Sequence, residues 1–501
     1  MEKRRRIIFR ADGNANTGLG HIMRLLSIAE MVEDLFSSIF VIQNPSEAIK
    51  NTILYSCDSY KIVPDSLSLA EEAEWLSEWV EKETDIVVLD GYKFDTEYQR
   101  TLKSKNIKLV CIDDIFNNHF LADAVINHAP GISSDEYSLD EDTKFYGGLD
   151  YTVIKPKFLQ LARNERVITK FSKLFICFGG ADFNNLTTKV LKLLDGNLPD
   201  QIEEITVVVG ESNIFKEEIE KTLSEFNLGK KQLKINLTSD EMIREMQSSH
   251  LAILPSSTIL YEALSIKMPI ISGFYVDNQI SVYHGFKNLG VIYGVDDMNE
   301  YEHYPELIHK ILSHDINKLL QKQRNVIDGY SKLRIRCLML ALSEKYNLKV
   351  AQIEDVELYF NWANDPLVRN NAISTDPILY ENHIKWFRNK LRDEKCFMFI
   401  LYFENKSVGQ IRFEIEDEEA TIDYSIDVNY RGRGHGKVLL EFGMLRLIED
   451  FSKNVKFKAV VKKINSPSNN IFIKSGFTQV DDLYINGEKY NVFRTKESLL
   501  E

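Results

Sequence analysis

Nowhere does the chain run apolar for the ~18 to 20 residues that a membrane-crossing helix requires, so the sequence offers no candidate span. Its start, Met-Glu-Lys-Arg-Arg-Arg, has the basic character of a secretory leader, but only Ile7, Ile8 and Phe9 follow before Arg10 and Asp12, and the apolar middle of a leader is missing. Cysteine is scarce: five in 501 residues (Cys57, Cys111, Cys177, Cys337, Cys396), far apart and without CxxC or Cys/His ligand spacing. That excludes a disulfide framework and reads as reduced, mostly buried thiols in a cytoplasmic protein. Positive charge is in deficit, with 61 Lys and Arg against 75 Asp and Glu and a formal net charge of -14. Neither nucleic acid nor an anionic membrane is an expected partner, since binders of both present a basic face. No His/Asp/Glu cluster has metal-ligand spacing, and no metal is expected.

What the chain does have is 44% hydrophobic residues over a length too great for one core, about three domains by size. It is organised around Arg10-Ala-Asp12-Gly13-Asn-Ala-Asn-Thr-Gly18-Leu-Gly20-His21-Ile-Met-Arg24. A β-branched run, Ile7-Ile8-Phe9, precedes this stretch, and Ile22, Leu25, Leu26, Ala29 and Val32 follow at the spacing of one helix face. The segment is a strand, a glycine loop and a helix. Glycines let backbone approach a ligand, and the free amides of a helix start favour negative charge. His21 stands at that mouth, where partial positive charge opposes protonation and leaves an imidazole able to accept a proton.

Further strands are expected at Ser38–Ile42, Asp85–Asp90 and Lys108–Asp113, and an acidic helix from Leu69 to Glu83. Short apolar strands alternating with helices build a parallel, doubly wound α/β sheet, whose ligands bind beyond the carboxyl ends of the strands. Tyr92, Asp113, Asp114 and Asn127 lie on such ends and are candidate cleft residues; for the two aspartates turn chemistry is an equal alternative. A second cycle starts at Lys173–Phe178, which runs into Gly179-Gly180-Ala-Asp182 and a helix from about Asn184, a turn suited to holding a diphosphate on backbone amides. Strands at Ile205–Val209 and Leu251–Leu254 follow, the latter leading into Pro255-Ser256-Ser257-Thr258, where Ser256 or Ser257 can cap a helix. Glu262, one turn in, either accepts hydrogen bonds from a ribose or simply complements the helix dipole. A helical pattern from Asn317 to Tyr346 closes this part.

Arg10, Asp12, Gly13, Gly18, Gly20, His21 and Arg24 together resemble the N-terminal signature of the pseudaminic acid pathway hydrolases that cleave UDP-2,4-diacetamido-2,4,6-trideoxy-β-L-altrose. The resemblance covers about residues 5 to 340 and implies a GT-B-like pair of Rossmann-type domains, 1–155 and 156–346, facing one another across a cleft. It implies His21 as general base, with Asp12 and Tyr92 completing the catalytic set and Arg10, Gly18, Gly20, Arg24 and Asn127 touching the nucleotide sugar. UDP is then expected on the second half at Gly179, Gly180, Asp182, Ser257 and Glu262, with Asn278 and Gln279 in a matching loop near the diphosphate or sugar.

From about Leu348 the pattern changes to an α+β domain, 347–501. Strands at Cys396–Phe403, Ser407–Glu414 and Ala420–Val428 lead into Asn429-Tyr-Arg431-Gly432-Arg433-Gly434-His435-Gly436-Lys437, and Arg431-x-x-Gly434-x-Gly436 before an amphipathic helix resembles the acetyl-CoA motif of GNAT acetyltransferases. Consecutive amides and arginines at a helix start grip a pyrophosphate. Asn465, Ser468, Phe472, Lys474, Gly476 and Phe477 resemble that family's next motif. Acetyl-CoA is the co-substrate this implies, held by Val428, Arg431, Arg433, Gly434, His435, Gly436, Lys437, Asn465, Phe472 and Lys474. Phe472 departs from the family, many of whose members carry there a tyrosine that protonates the CoA thiolate; phenylalanine has no proton to give. Tyr424, Tyr484, Tyr490 or water remain for that task, and Glu414 or Asp423 is either the base, acting through water, or solvated strand charge.

The expectation is a bifunctional enzyme of nonulosonic acid synthesis that N-acetylates the 4-amino group of a UDP-amino sugar and then releases UDP. Three alternatives stand beside it: a glycosyltransferase in the same cleft, a GNAT domain that only binds, and a legionaminic-type or other amino-sugar substrate. Fold alone does not separate these chemistries.

Overall fold

The computed structural model describes residues 5–13, 19–82, 84–180, 182–211, 213–344 and 346–495. The chain divides into two compact units, Met1–Ile335 and Arg336–Glu501.

The first unit opens with β1 (Arg6–Arg10), β2 (Ser37–Ile42), β3 (Ser59–Ile62), β4 (Ile86–Asp90), β5 (Lys108–Ile112), β6 (His119–Phe120), β7 (Ala124–Asn127), β8 (Ser138–Leu139) and β9 (Lys144–Gly147). Strands β6 and β8 pair with each other; the other seven form one parallel sheet in the order β3-β2-β1-β4-β5-β7-β9. Its central strands are apolar and covered on both faces: Ile7, Ile8, Phe9, Val87 and Val88 are fully buried. The acidic helix starts on a capping box, Ser68 accepting the Glu71 N–H while the Glu71 carboxylate accepts that of Ser68. It ends at Trp79 rather than Glu83, because Asp85 accepts the Glu81 N–H at 2.8 Å and pairs with Arg6, drawing the chain into β4.

A second parallel sheet follows: β10 (Lys173–Ile176), β11 (Glu204–Val209), β12 (Lys230–Ile235), β13 (Leu251–Pro255), β14 (Ile270–Phe274) and β15 (Tyr293–Asp297), in the order β12-β11-β10-β13-β14-β15. The strand order reverses between β1 and β4 in one sheet and between β10 and β13 in the other, and ligand crevices of doubly wound sheets open at such reversals. The closing helical pattern resolves into Asn317–Gln323 and Ser331–Glu344, with Tyr346 already in a strand. Gly329 breaks it at φ +77°, where a Cβ would lie 2.7 Å from the Leu159 carbonyl, and the Asp328 carboxylate next to it grips Arg334 at 3.0 and 2.7 Å.

The second unit is one mixed sheet of β16 (Tyr346–Val350), β17 (Cys396–Phe403), β18 (Lys406–Glu416), β19 (Glu419–Ile426), β20 (Lys456–Lys462), β21 (Phe477–Ile485) and β22 (Glu488–Thr495), ordered β16-β17-β18-β19-β20-β22-β21. Only β19 and β20 run parallel, and they pair only over Glu419–Ile422 and Lys456–Ala459. Beyond that point β19 stays with β18 and β20 with β22, so the sheet splits into a wedge. Helix His435–Asp450 lies close on one face, where a Cβ on Gly443 would come 2.9 Å from Ile411. Helix Tyr380–Arg392 covers the other, with Trp386 over the Arg412 guanidinium at 5.0 Å. Among the described residues no helix is long and apolar enough to cross a membrane, and no group of three or more His, Cys, Asp or Glu is placed to hold a metal ion.

Candidate active sites

At the reversal between β1 and β4, helix Gly20–Val32 begins and β4 ends, and the two bring His21 to Asp90. His21 Nδ1 lies 2.6 Å from Asp90 Oδ1. A carboxylate oxygen only accepts, so in the tautomer whose Nδ1 proton turns to Asp90 the neutral ring keeps a lone pair on Nε2. One turn along, Arg24 donates from Nε and Nη2 to the two Asp90 oxygens at 2.9 and 2.7 Å and from Nη1 to Asp114 at 2.6 Å; its Nη2 is 2.8 Å from His21 Nδ1. Asp90 is fully buried and Arg24 nearly so, while His21 keeps 20% of its side chain exposed. Tyr92 meets the imidazole edge-on, ring centroids 4.9 Å apart, and its hydroxyl accepts from Asn278 Nδ2 at 3.3 Å. Burial and the Asp114 charge push the Tyr92 phenol up to about 12, so it stays protonated.

Several residues expected around the ligand are turned elsewhere. Arg10 is buried under the Phe94 ring, its guanidinium taken by Glu72 at 2.6 and 3.1 Å and by Asp12 at 2.5 and 2.8 Å; it has nothing left for a nucleotide. Asp12 also takes Lys93 at 2.6 Å and the Gln43 N–H at 2.8 Å, which makes it a tie between the ends of β1, β2 and β4 rather than a partner of His21. Asn127 is buried, donating to the Tyr137 hydroxyl and accepting the Ala129 N–H, both at 2.8 Å. Asp113 follows the turn alternative, accepting the N–H groups of Ile115 and Phe116 and the Tyr137 hydroxyl. Gly20 opens the helix with free space at its α-carbon, and Gly18 falls in the stretch 14–18, outside the described residues.

On the second sheet Gly179 stands at φ +85° beside Gly180, and the turn is backed by Gly210, where a Cβ would lie 2.5 Å from the Gly180 carbonyl. Asp182 is buried and caps helix Leu186–Leu194, its carboxylate accepting the N–H groups of Leu186 and Thr187 at 2.9 Å; it covers those amides instead of offering them to a diphosphate. Ser257 is the N-cap of helix Thr258–Ser265 without a side-chain cap bond, and Ser256 pairs with the Ser272 hydroxyl at 3.0 Å, so neither serine caps as expected and the amides of that first turn stay uncovered by side chains. Glu262 is partly open, and its carboxylate takes no hydrogen bond or ion pair among the described residues. Desolvation pushes its carboxyl up to about 7 against the pull of Lys155. Gln279 spends its amide oxygen on the Tyr275 N–H at 3.1 Å.

In the second unit the wedge between β19 and β20 opens into a cavity of about 1320 Å³. Its wall takes Arg431, Gly434, Gly436 and Lys437 from the glycine loop, and Asn465, Phe472 and Lys474 from helix Ser466–Lys474 and its cap. Gly434 is the N-cap at φ +89°, a conformation that suits glycine. Arg431 is held by the Ile426 carbonyl at 2.9 Å and Asp365 at 2.7 Å. His435 does not face the cavity: it is buried with Nδ1 2.7 Å from the Tyr346 hydroxyl, beside Phe403 and Tyr430. Val428 is 61% exposed and, like Arg433, stands off the wall. Of the two candidate bases, Asp423 lines the cavity, whereas Glu414 is held by Lys390 and Arg412 at 2.8 and 3.0 Å.

Sequence reasoning missed Asp90, whose signal was an acid ending an otherwise apolar strand, and Gly210, which follows the apolar β11. It also missed Gln410, a buried cavity residue whose Oε1 has no hydrogen-bond partner and whose Nε2 reaches Asp423 at 3.2 Å; a single polar residue in an alternating strand carries no special mark.

The class is therefore an α/β protein with two parallel sheets in its N-terminal part and a GNAT-like acetyltransferase fold in its C-terminal part. Residues 347–478 match the family described as Acetyltransferase (GNAT) domain. The chain is 23% identical over 279 residues to the UDP-2,4-diacetamido-2,4,6-trideoxy-β-L-altropyranose hydrolase of Campylobacter jejuni, covering 55% of this chain and 94% of that one. It is 25% identical over 343 residues to the spore coat polysaccharide biosynthesis protein SpsG of Bacillus subtilis, covering 67% and 98%. A ribosomal L7/L12 α-N-protein acetyltransferase solved with coenzyme A is 18% identical and superposes with a TM-score of 0.27, covering 30% of this chain and 92% of that one. The chain thus joins a region similar to the altropyranose hydrolase to a GNAT domain.

Proposed function

We propose that the chain is a bifunctional enzyme of pseudaminic or a related nonulosonic acid synthesis, built as three domains with boundaries near residues 155 and 346. The C-terminal domain acetylates the 4-amino group of a UDP-4-amino-4,6-dideoxy-N-acetyl-altrosamine from acetyl-CoA; the N-terminal pair then hydrolyses the product. Water attacks the anomeric carbon as His21 Nε2 takes its proton, the C–O bond to the diphosphate breaks, and UDP leaves. Helix-start amides at Ser257 and the Gly179-Gly180 turn meet the growing charge on the diphosphate. Neither step calls for a metal. Joining consecutive steps in one chain keeps the intermediate at high local concentration.

The observation that carries the hydrolase half is the 2.6 Å contact of His21 Nδ1 with buried Asp90 at the β1/β4 reversal, which holds the imidazole at the ligand crevice in the way a general base requires. The similarity to the altropyranose hydrolase supports the choice of sugar. The test is UDP release from the diacetamido-altrose nucleotide without any glycosyl acceptor. Release by the parent that falls ~100-fold or more in a folded His21→Ala variant is the expected result. No release unless an acceptor sugar is added would make the cleft a glycosyltransferase; unchanged release in the variant would remove His21 as base.

A further inference from the structure

Acyl transfer from a thioester needs a proton for the departing sulfur, and Phe472 cannot give one. It is 1% exposed, packed among the rings of Tyr424, Phe477 and Phe493. Three tyrosines were open for the role on sequence. Tyr484 is 73% exposed on the terminal hairpin, and Tyr490 is 2% exposed on β22; neither lines the cavity. Tyr424 does line it.

The placement of Tyr424 on β19 is specific. Parallel pairing with β20 ends at Ile422 and Ala459, so Tyr424 sits two residues into the split, where an extended thioester chain has room between the strands. Its ring edge would lie 3.7 Å from a Cβ on Gly436, in the glycine loop, and its centroid is 5.9 Å from that of Phe472. Its hydroxyl donates to Ser468 Oγ at 3.0 Å, and Ser468 lines the cavity as well. Successive strand residues point to opposite faces. Ile411, paired with Tyr424, belongs to the face under helix His435–Asp450, whereas Arg412, paired with Asp423, belongs to the face under Trp386. Asp423 and Tyr424 therefore serve opposite sides of one split.

We propose that Tyr424 is the proton donor to the CoA thiolate, with Ser468 as its positioning residue. The inference rests on the GNAT domain acting as an acetyltransferase. The amine nitrogen bonds to the thioester carbon, the C–S bond breaks, and the Tyr424 proton goes to sulfur to give free CoA thiol. The nitrogen sheds its proton through water on the Asp423 side, and the tyrosinate regains the proton it gave to sulfur from solvent by way of the Ser468 hydroxyl. Burial raises the phenol above its ordinary range, which keeps it protonated at neutral pH.

The experiment measures CoA thiol release by the full chain and by Tyr424→Phe and Ser468→Ala, with two nucleophiles: the UDP-4-amino sugar and hydroxylamine, which enters the cavity without sugar recognition. Expected for Tyr424→Phe is a kcat loss of ~100-fold with both nucleophiles, with the KM for acetyl-CoA unchanged. Ser468→Ala is expected to lose less and to move the alkaline limb of the parent pH profile. A loss confined to the UDP-amino sugar, or a change carried by KM alone, would overturn the role, as would unchanged turnover. If the parent acetylates hydroxylamine but not the UDP-amino sugar, the substrate reading fails while the effect of Tyr424→Phe on hydroxylamine still decides the donor.

Discussion

His21 Nδ1 faces Asp90 Oδ1 at 2.6 Å, and the same carboxylate is clamped by Arg24. Because Arg24 fixes Asp90 with two donors, the carboxylate cannot rotate away, and the imidazole is held with Nδ1 against it. Asp90→Asn tests this. Its amide must set an NH2 group against Arg24 or against Nδ1; facing Nδ1 it draws the proton to Nε2, which removes the base that the proposed hydrolysis requires. A fall in UDP release on the order of 10³-fold or more is expected, with the fold retained by circular dichroism. A fall below tenfold would mean that Asp90 does not set the tautomer.

Arg10 belongs to the interior. Replacing it by Met leaves Glu72, 4% exposed, and Asp12 with only Lys93, 3.6 and 2.6 Å from them, in place of the buried guanidinium. Breaking a buried pair from one side costs about 3–5 kcal/mol, and urea unfolding of the first unit is expected to show a loss of that size for Arg10→Met. The KM for the UDP-sugar in the surviving folded enzyme should stay at the parent value. A raised KM with stability intact would return Arg10 to the binding site.

How much of this was legible in the chain depended on the range of the interactions. Strands such as Ile86–Asp90 announce themselves because both faces are buried, so every residue is apolar until the acid at the end. Helix Thr96–Ser104 is mostly polar, burying only Tyr98, Gln99 and Leu102, and β3 has no buried residue, so neither carries a readable pattern. The glycine loops were legible because positive φ and close approach favour one residue type, as at Gly179 and Gly434. Side-chain direction was not. Arg10 is decided by Glu72, 62 residues away, and His435 by Tyr346, 89 residues away. The same distance problem hid Asp90 from His21, 69 residues apart.

The Gly179-Gly180 turn leans on Gly210. A methyl group there would meet the Gly180 carbonyl oxygen at 2.5 Å and its α-carbon at 2.7 Å, and backbone cannot rotate out of the way. Gly210→Ala is expected to displace the turn and weaken UDP binding by ~10-fold or more, about 1.4 kcal/mol, in calorimetric titration. Gly229→Ala, with open space around it, is the control. Equal affinities in both variants would show that UDP does not rest on this turn.

Glu262 ties stability to pH. Its carboxyl, ordinarily near 4.5, stands at about 7 in the folded chain because the cleft desolvates it. The folded state therefore holds a proton that the unfolded state has already lost, and stability falls as pH rises from 4.5 to about 7, with the whole penalty in place above that. Glu262→Gln removes the charge. Without nucleotide, the variant is expected to melt above the parent at pH 8 and to approach it at pH 5. With UDP the order reverses at pH 8: the ionised carboxylate accepts from the ribose hydroxyls and is repaid for its burial, so UDP raises the melting temperature of the parent by more than that of the variant. Equal shifts by UDP in both proteins would leave Glu262 as a first-turn acid and no part of the nucleotide site.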